Sequence, residues 1–292
     1  MNWEKIPDLI ETDILCNNKI DAIDYLYADS RNVTYHQHDA YEFFLLLKGD
    51  INFYSEQVGF HVRRGDLICI PPYLFHTRDM SKTLPYERVV INLKESVLQY
   101  HSKPDTDFSQ LFKQLTDHGM ATLHMDDQEI SQYTLASGQL EAEQENQAFG
   151  KSIMVEALIQ QILVMVGRNA MTAQPVKRKD IMPPLVVETL AYIEQHLGEN
   201  ITMDGIAEAL HHNALYLGRC FKAVTGVPIK QFVITKRLST AKRLMSNGSS
   251  PSEACFKVGY NDYSNFSRTF TKRCGISPRH YAEAFEQDNK TE

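Results

Sequence analysis

The stretch Tyr216-Leu217-Gly218-Arg219-Cys220-Phe221-Lys222-Ala223-Val224-Thr225-Gly226 returns 49 positions later as Asn265-Phe266-Ser267-Arg268-Thr269-Phe270-Thr271-Lys272-Arg273-Cys274-Gly275. Arg219, Phe221 and Gly226 recur as Arg268, Phe270 and Gly275, and Leu217 is matched by Phe266. Self-similarity at a fixed offset marks a duplicated structural unit. Each copy reads as a short helix, a tight turn and a second helix. In the first, Met203 to Leu210 is the supporting helix, His211-His212 the turn, and Asn213 the N-cap of a helix running to about Thr225. In the second, Ser250 caps a supporting helix with Pro251 in its first turn, Gly259 permits a positive-φ turn, and Asn261 or Asp262 caps a helix ending near Arg273. Between the copies Ile229 to Met245 reads as one long helix, with Phe232, Leu238, Ala241 and Leu244 inward.

A helix that reads a DNA groove needs an apolar face to hold it and a polar, basic face to present. Leu217, Cys220, Phe221 and Val224 form the apolar face in copy one, and Phe266, Thr269 and Phe270 in copy two. Opposite them stand Tyr216, Arg219 and Lys222, then Tyr263, Ser264, Ser267 and Arg268, with Lys272 beyond. Arginine pairs bidentately with guanine edges, and hydroxyls reach bases or phosphate; the competing assignment for each arginine is a salt bridge within the helical bundle. A connector of roughly 17 residues at ~1.5 Å per residue sets the two reading helices about 25–35 Å apart, near the ~34 Å of one duplex turn.

Charge is segregated. The 292 residues carry a net −7, yet residues 215–273 hold eleven bases against two acids, +9 in 59 residues. Such a local field attracts phosphate in an otherwise acidic chain. A hydrophobic content of 43% with 23% charged residues is globular, and the length suggests two domains. The opening Met1-Asn2-Trp3-Glu4 does not resemble a secretion signal, and the apolar stretch near Val155 to Val166 falls short of the roughly 18 residues of a membrane span, so a cytoplasmic protein without a membrane partner is expected. Cys16, Cys69, Cys220, Cys255 and Cys274 form no CxxC pair and read as reduced, mostly buried residues.

Residues from about 20 to 93 are strand-like, with runs such as Phe43-Phe44-Leu45-Leu46-Leu47, Ile51-Asn52-Phe53-Tyr54 and Val89-Val90-Ile91 separated by Lys48-Gly49-Asp50 and Arg64-Gly65-Asp66 turns, which implies a sandwich or barrel. After Lys94 the pattern turns helical. Val155, Leu158, Ile159, Ile162, Leu163 and Val166 make one apolar stripe, to be covered either by the chain's own strand domain or by the same helix of a second subunit. Residues 170–184, with Gln174-Pro175, Lys177-Arg178-Lys179-Asp180 and Pro183-Pro184, form the expected linker between a domain at 1–169 and a helical one at 185–292, where Val186, Leu190 and Ile193 share a face of the first helix. The fold class expected is α+β and multidomain.

Residues 185–285 resemble the DNA-binding domain of the AraC/XylS family of transcriptional regulators. The matching stretches are Ile206-Ala207-Glu208-Ala209-Leu210, Tyr216 to Lys222, Arg237-Leu238 with Ala241-Lys242-Arg243-Leu244, Val258-Gly259-Tyr260, Phe266 to Phe270, and Gly275-Ile276-Ser277-Pro278 with Tyr281. The resemblance implies base-facing positions at Leu215, Tyr216, Gly218 and Arg219, then Tyr263, Ser264, Ser267 and Arg268. Gly218 offers no side chain, so fewer base contacts are expected from the first helix, and Ala254-Cys255 replaces a bulkier apolar residue followed by alanine.

His36-x-His38-x3-Glu42 with Gly49, then Gly65-x5-Pro71 with His76, resembles the two motifs of the cupin barrel. Ser30, Tyr73 and Met80 replace two glycines and an asparagine of that pattern. Three imidazoles and a carboxylate suit Fe, Mn, Ni or Zn, so His36, His38, Glu42 and His76 are candidate metal ligands, with ligand-contacting or structural roles as the alternatives. With Tyr41, Arg78 and Arg88 they form the candidate effector pocket, for a sugar or another small polar molecule.

The whole chain thus reads as a sensor domain, a helical dimerisation segment, a linker and a DNA reader. Double-stranded DNA, a small-molecule effector such as a sugar, a second copy of the chain and RNA polymerase are the expected partners, with no cofactor required and no catalysis. A metal-dependent cupin enzyme, such as an isomerase or dioxygenase, and a helical protein-interaction module are the alternatives.

Overall fold

Met182 and Pro183 mark the division of the chain into two units. The computed structural model describes residues 10–15, 35–79, 87–145, 148–172 and 179–288. The strand-like run expected from Ile20, the departures at Ser30 and Met80, and the linker residues Gln174-Pro175 and Lys177-Arg178 lie outside the described residues.

The first unit contains strands β1 (Ile10–Leu15), β2 (Tyr41–Lys48), β3 (Asp50–Ser55), β4 (Gly59–Arg63), β5 (Asp66–Ile70), β6 (His76–Asp79) and β7 (Glu87–Leu93), helices α1 (Glu95–His101) and α2 (Phe108–Leu115), strand β8 (Ala121–His124), and helices α3 (Asp127–Glu145) and α4 (Lys151–Thr172). Its strands pair in two sheets, a five-stranded β1-β7-β2-β5-β8 and a three-stranded β4-β3-β6. The sandwich or barrel expected of these strands is, among the described residues, a pair of sheets. β8 interrupts the region read as helical; its four residues are too few to show alternation, yet they pair with β5 from Asp66↔His124 to Cys69↔Ala121.

Strand β2 explains the near-continuous apolar run at Phe43 to Leu47, because both of its faces are covered. Phe44 and Leu46 meet Ile51, Phe53, Phe60 and Val62 of the second sheet, with Ile68, Ile70 and Val90 beside them. Phe43 and Leu45 face the other way, into a larger core with Phe108, Phe112, Tyr133 and Leu140 of the helices. The stripe Val155, Leu158, Ile159, Ile162, Leu163 and Val166 is buried in that same core, so the strand domain of its own chain covers it. Helix α4 runs 22 residues to Thr172, beyond the boundary expected at 169, and is long and apolar enough to meet the length test of a membrane span; its buried stripe is that of a core helix.

The last part of the expected linker is held on this unit. Ile181 N donates to Gly59 O at 2.8 Å, and Asp180 Oδ1 accepts from Gly59 N at 3.0 Å and from Met182 N at 2.9 Å. Residues 180–182, read in sequence as free linker, are thus fastened to the first residue of β4.

The second unit is helical: α5 (Pro184–Gln195), α6 (Met203–Ala209), α7 (Ala214–Thr225), α8 (Ile229–Ser246), α9 (Pro251–Lys257), α10 (Tyr263–Cys274) and α11 (Pro278–Asp288). α6–α7 and α9–α10 are the two repeated units, and α8 connects them. Each reading helix stops at the repeated glycine, Gly226 at φ 74° and Gly275 at φ 78°, in the left-handed conformation that glycine enters without Cβ strain. Around α8, Leu238, Ala241 and Met245 pack with Ala254, Cys255, Val258, Phe266 and Phe270, while Phe221 of α7 meets Phe232 edge-on at 5.3 Å.

Candidate nucleic-acid interface and ligand site

Helix α7 starts where Asn213 Oδ1 accepts from the backbone amides of Leu215 and Tyr216, at 3.0 and 3.2 Å. Helix α10 starts in the same way: Asp262 accepts from Ser264 N at 3.2 Å and Asn265 N at 2.7 Å, which selects Asp262 over Asn261 as the cap. α9 carries a full capping box, Ser250 Oγ receiving Glu253 N and the Glu253 carboxylate receiving Ser250 N. Those caps fix where each reading helix begins, and hence which side chains occupy its first turn.

The inner faces are Leu217, Phe221 and Thr225 on α7 and Phe266 and Phe270 on α10, all buried. Outward stand Leu215, 78% exposed, Tyr216, Arg219 and Lys222 on α7, and Tyr263, Ser264, Arg268 and Lys272 on α10; Gly218 and Ser267 are half-buried. Arg219 and Arg268 share an offset of 49 and both reach solvent. The same offset pairs Tyr216 with Asn265, which is exposed in the first turn of α10 and was missed in the sequence reading. Its amide is a side-chain type that reads adenine, and the repeat itself was the signal that could have found it.

Not every base of the +9 segment faces out. Lys236 is buried and paired with Glu194, and Arg237 donates Nε to Leu197 O and Nη1 to Gly259 O, each at 3.0 Å. Arg273 Nη2 donates to Gln231 Oε1 at 2.7 Å. These three cations hold α8 and α10 in place.

In the first unit the cupin-type residues meet between the sheets. His36 and His76 pair through their backbones, His36 N to His76 O at 3.0 Å and His76 N to His36 O at 2.9 Å, with ring centroids 4.4 Å apart. His38 Nε2 lies 2.8 Å and His76 Nε2 3.7 Å from Glu42 Oε2. Burial alone would push the Glu42 carboxyl up; the hydrogen bond with His38 and the closeness of the His76 ring outweigh it and hold the carboxyl well below the usual carboxylate range. Ladder register sets Glu42 opposite Asn92, Phe44 opposite Val90 and Leu46 opposite Arg88, all on the inter-sheet face, and the Arg78 guanidinium lies 5.8 Å from the Phe44 ring centre. Arg78 and Arg88 are thus buried in the same inter-sheet space as the histidines.

Tyr41 does not join them. Side chains alternate along a strand, so the residue next to Glu42 points to the helical layer, where Tyr41 packs against Phe112 at 6.2 Å. Burial first, and the nearby Glu95 second, push its hydroxyl up to about 12. Tyr41 is withdrawn from the pocket. Tyr73, which stands where the cupin pattern has glycine, adopts φ 64°, in the left-handed region that favours glycine, and donates its amide to His38 O at 2.8 Å.

Residues 206–284 match the helix-turn-helix domain family, and residues 20–164 match the AraC-like ligand binding domain. The chain belongs to the AraC family of transcriptional regulators. Over 243 residues, 80% of this chain and 82% of the relative, it is 22% identical to the HTH-type transcriptional regulator YisR of Bacillus subtilis. It is 34% identical over 103 residues to YobQ of the same organism, spanning 35% of this chain and 43% of YobQ. The melibiose operon regulatory protein of Escherichia coli is 27% identical over 107 residues, 36% of this chain and 35% of that protein. As an AraC-family regulator the protein binds DNA through the duplicated helix-turn-helix unit and carries a small-molecule domain ahead of it.

Proposed function

We propose that this regulator reads two successive major grooves through α7 and α10. Leu215, Tyr216, Gly218, Arg219 and Lys222 line one groove, and Tyr263, Ser264, Ser267, Arg268 and Lys272 the other. The observation that carries the reading is the equivalence of Arg219 and Arg268: same place in the repeat, same exposed face, each on a capped helix seated on a buried aromatic. The 18 residues of α8, at ~1.5 Å each, give a connector near one duplex turn in length.

A small polar effector occupies the inter-sheet space near His36, His38, Glu42, His76, Arg78 and Arg88, and its presence shifts the balance between DNA-binding modes. A sugar is the first candidate, supported by the name of the melibiose operon relative. The protein works in the cytoplasm as a homodimer, an arrangement supported by the exposed Ile153 and Met154 on α4, with RNA polymerase as a further partner. It has no catalytic step; its relatives are named as regulators. Selection of bound genomic fragments with and without candidate sugars tests this reading. Enrichment of two half-sites about one turn apart, with affinity falling steeply as salt rises, is expected. Salt-insensitive binding, or no enrichment, overturns it.

A further inference from the structure

The first turn of α10 carries a side chain that has no chemical equivalent on α7. Backbone contacts fix where it stands: Asn265 N donates to Asp262 Oδ2 at 2.7 Å, and Asn265 O accepts from Thr269 Oγ1 at 2.8 Å. The side chain itself is exposed, and its amide has no hydrogen-bond partner among the described residues. Arg268 is exposed too and makes no ion pair among the described residues, so the salt bridge that competes with a DNA role for this arginine is not formed there.

Residues three apart on a helix are neighbours on one face. At ~1.5 Å per residue Asn265 and Arg268 stand ~4.5 Å apart along the axis of α10, and base pairs stack at ~3.4 Å. With α10 in a major groove the two side chains therefore reach adjacent base pairs.

The chemistry of each side chain selects its base. A carboxamide offers donors and an acceptor side by side, the complement of what adenine presents in the major groove through N7 and its N6 amino group. Guanine presents two acceptors, O6 and N7, which suit the guanidinium of Arg268 and would leave Asn265 Oδ1 facing another acceptor. Copy one has Tyr216 in the place of Asn265, a single hydroxyl that cannot make the paired contact, and Gly218 in the place of Ser267. The two reading helices share a fold and differ in the base contacts they can make.

We infer that Asn265 pairs with an adenine next to a guanine read by Arg268, which makes the half-site under α10 the more selective of the two. Asn265 Nδ2 donates to adenine N7, and Oδ1 accepts from the N6 amino group. The inference rests on the proposed seating of α7 and α10 in successive grooves and adds to it the bases that α10 selects.

Selection by the full chain from a randomised duplex library tests it. The wild-type protein should enrich two half-sites about one turn apart, only one of which fixes an adenine beside the guanine. Exchanging that adenine for guanine should weaken binding about 5–150-fold. Exchanging it for 7-deazaadenine, which lacks the N7 acceptor, should weaken binding as well. Asn265→Ala should bind the adenine and guanine duplexes alike, ignore the 7-deaza change and keep the wild-type salt slope, since no charge is lost. Circular dichroism melting of the variant should match wild type, and Tyr216→Ala, on the other helix, should leave the adenine preference intact. Two enriched half-sites with no adenine beside a guanine, or an adenine preference that survives Asn265→Ala, overturn the inference and leave the groove reading standing. Failure to enrich any half-site removes both.

Discussion

Arg237 Nη1 donates to the carbonyl of Gly259 at 3.0 Å, joining the connector helix α8 to the turn of the second helix-turn-helix unit. The same guanidinium donates to Leu197 O at 3.0 Å and to Glu199 O, so one side chain ties the end of α5 to the α9–α10 turn. Gly259 sits at φ 86°, and a Cβ there would come within 2.8 Å of Arg237 Nη2 and 2.9 Å of the Gly198 carbonyl. Arg237→Ala should destabilise the second unit by about 2–4 kcal/mol, since three carbonyls lose a charged donor. Arg237→Lys should recover only part of this, because one ammonium cannot reproduce the fork. Urea unfolding of the second unit, followed by circular dichroism, measures both; a loss under ~0.5 kcal/mol for Arg237→Ala would refute the strut.

Arg219→Ala and Arg268→Ala remove exposed side chains and should leave stability within about 0.5 kcal/mol. Their cost should fall on DNA. A base-reading arginine loses about 1–3 kcal/mol and relaxes preference at one position, whereas a phosphate-contacting one weakens all sequences alike and lowers the salt slope by about one. Affinity measured on the selected site and on scrambled DNA, across a salt series, tells the two roles apart. Unchanged affinity in both variants would remove α7 and α10 from the interface.

The C-terminal half was legible almost to the residue because its signals are local. Caps at Asn213, Asp262 and Ser250, the terminal Gly226 and Gly275, and the 49-residue offset each act within a few residues of where they stand. The inward turn of Lys236 and Arg237 was not legible, since a lysine or arginine on a helix announces its charge but not the Glu194 or carbonyl partner that another helix brings. In the N-terminal half the resemblance to the cupin motifs anticipates the convergence of His36, His38, Glu42 and His76, while Tyr41, next to Glu42 in sequence, is turned to the opposite face by strand alternation. The pairing of β8 with β5 and the return of Asp180 to Gly59 are contacts across long sequence separations, which no periodicity records.

Gly218 lies inside α7, and a Cβ there would meet only Met203 Cε, at an ordinary 3.5 Å. Gly218→Ala should therefore stabilise the second unit by roughly 0.5–1 kcal/mol through helix propensity. If the absent side chain lets α7 approach a duplex closely, the same variant should bind the selected DNA more weakly. Melting and DNA titration of one preparation test both signs; higher stability with equal or tighter DNA binding would show that Gly218 does not face the groove.

Asp180 offers the clearest place to break communication without touching either site. Its Oδ1 receives Gly59 N and Met182 N, at the start of β4. β4 pairs with β3, where Tyr54 faces Gly59, and the next residue, Ser55, faces His76 of β6. Ser55 in turn receives the amides of Gln57 and Val58 on its hydroxyl, at 3.3 and 3.2 Å, so the turn leading to Gly59 is fixed from the His76 partner. Asp180→Ala should leave effector and DNA affinities, measured separately, close to wild type. It should speed hydrogen exchange at the Gly59 and Met182 amides and shrink the change in DNA affinity that an effector produces, which for typical coupling of about 1–3 kcal/mol is a 5–150-fold effect. A variant that keeps full coupling while those amides exchange faster would mean that the contact at Gly59 anchors the chain without transmitting occupancy to the reader.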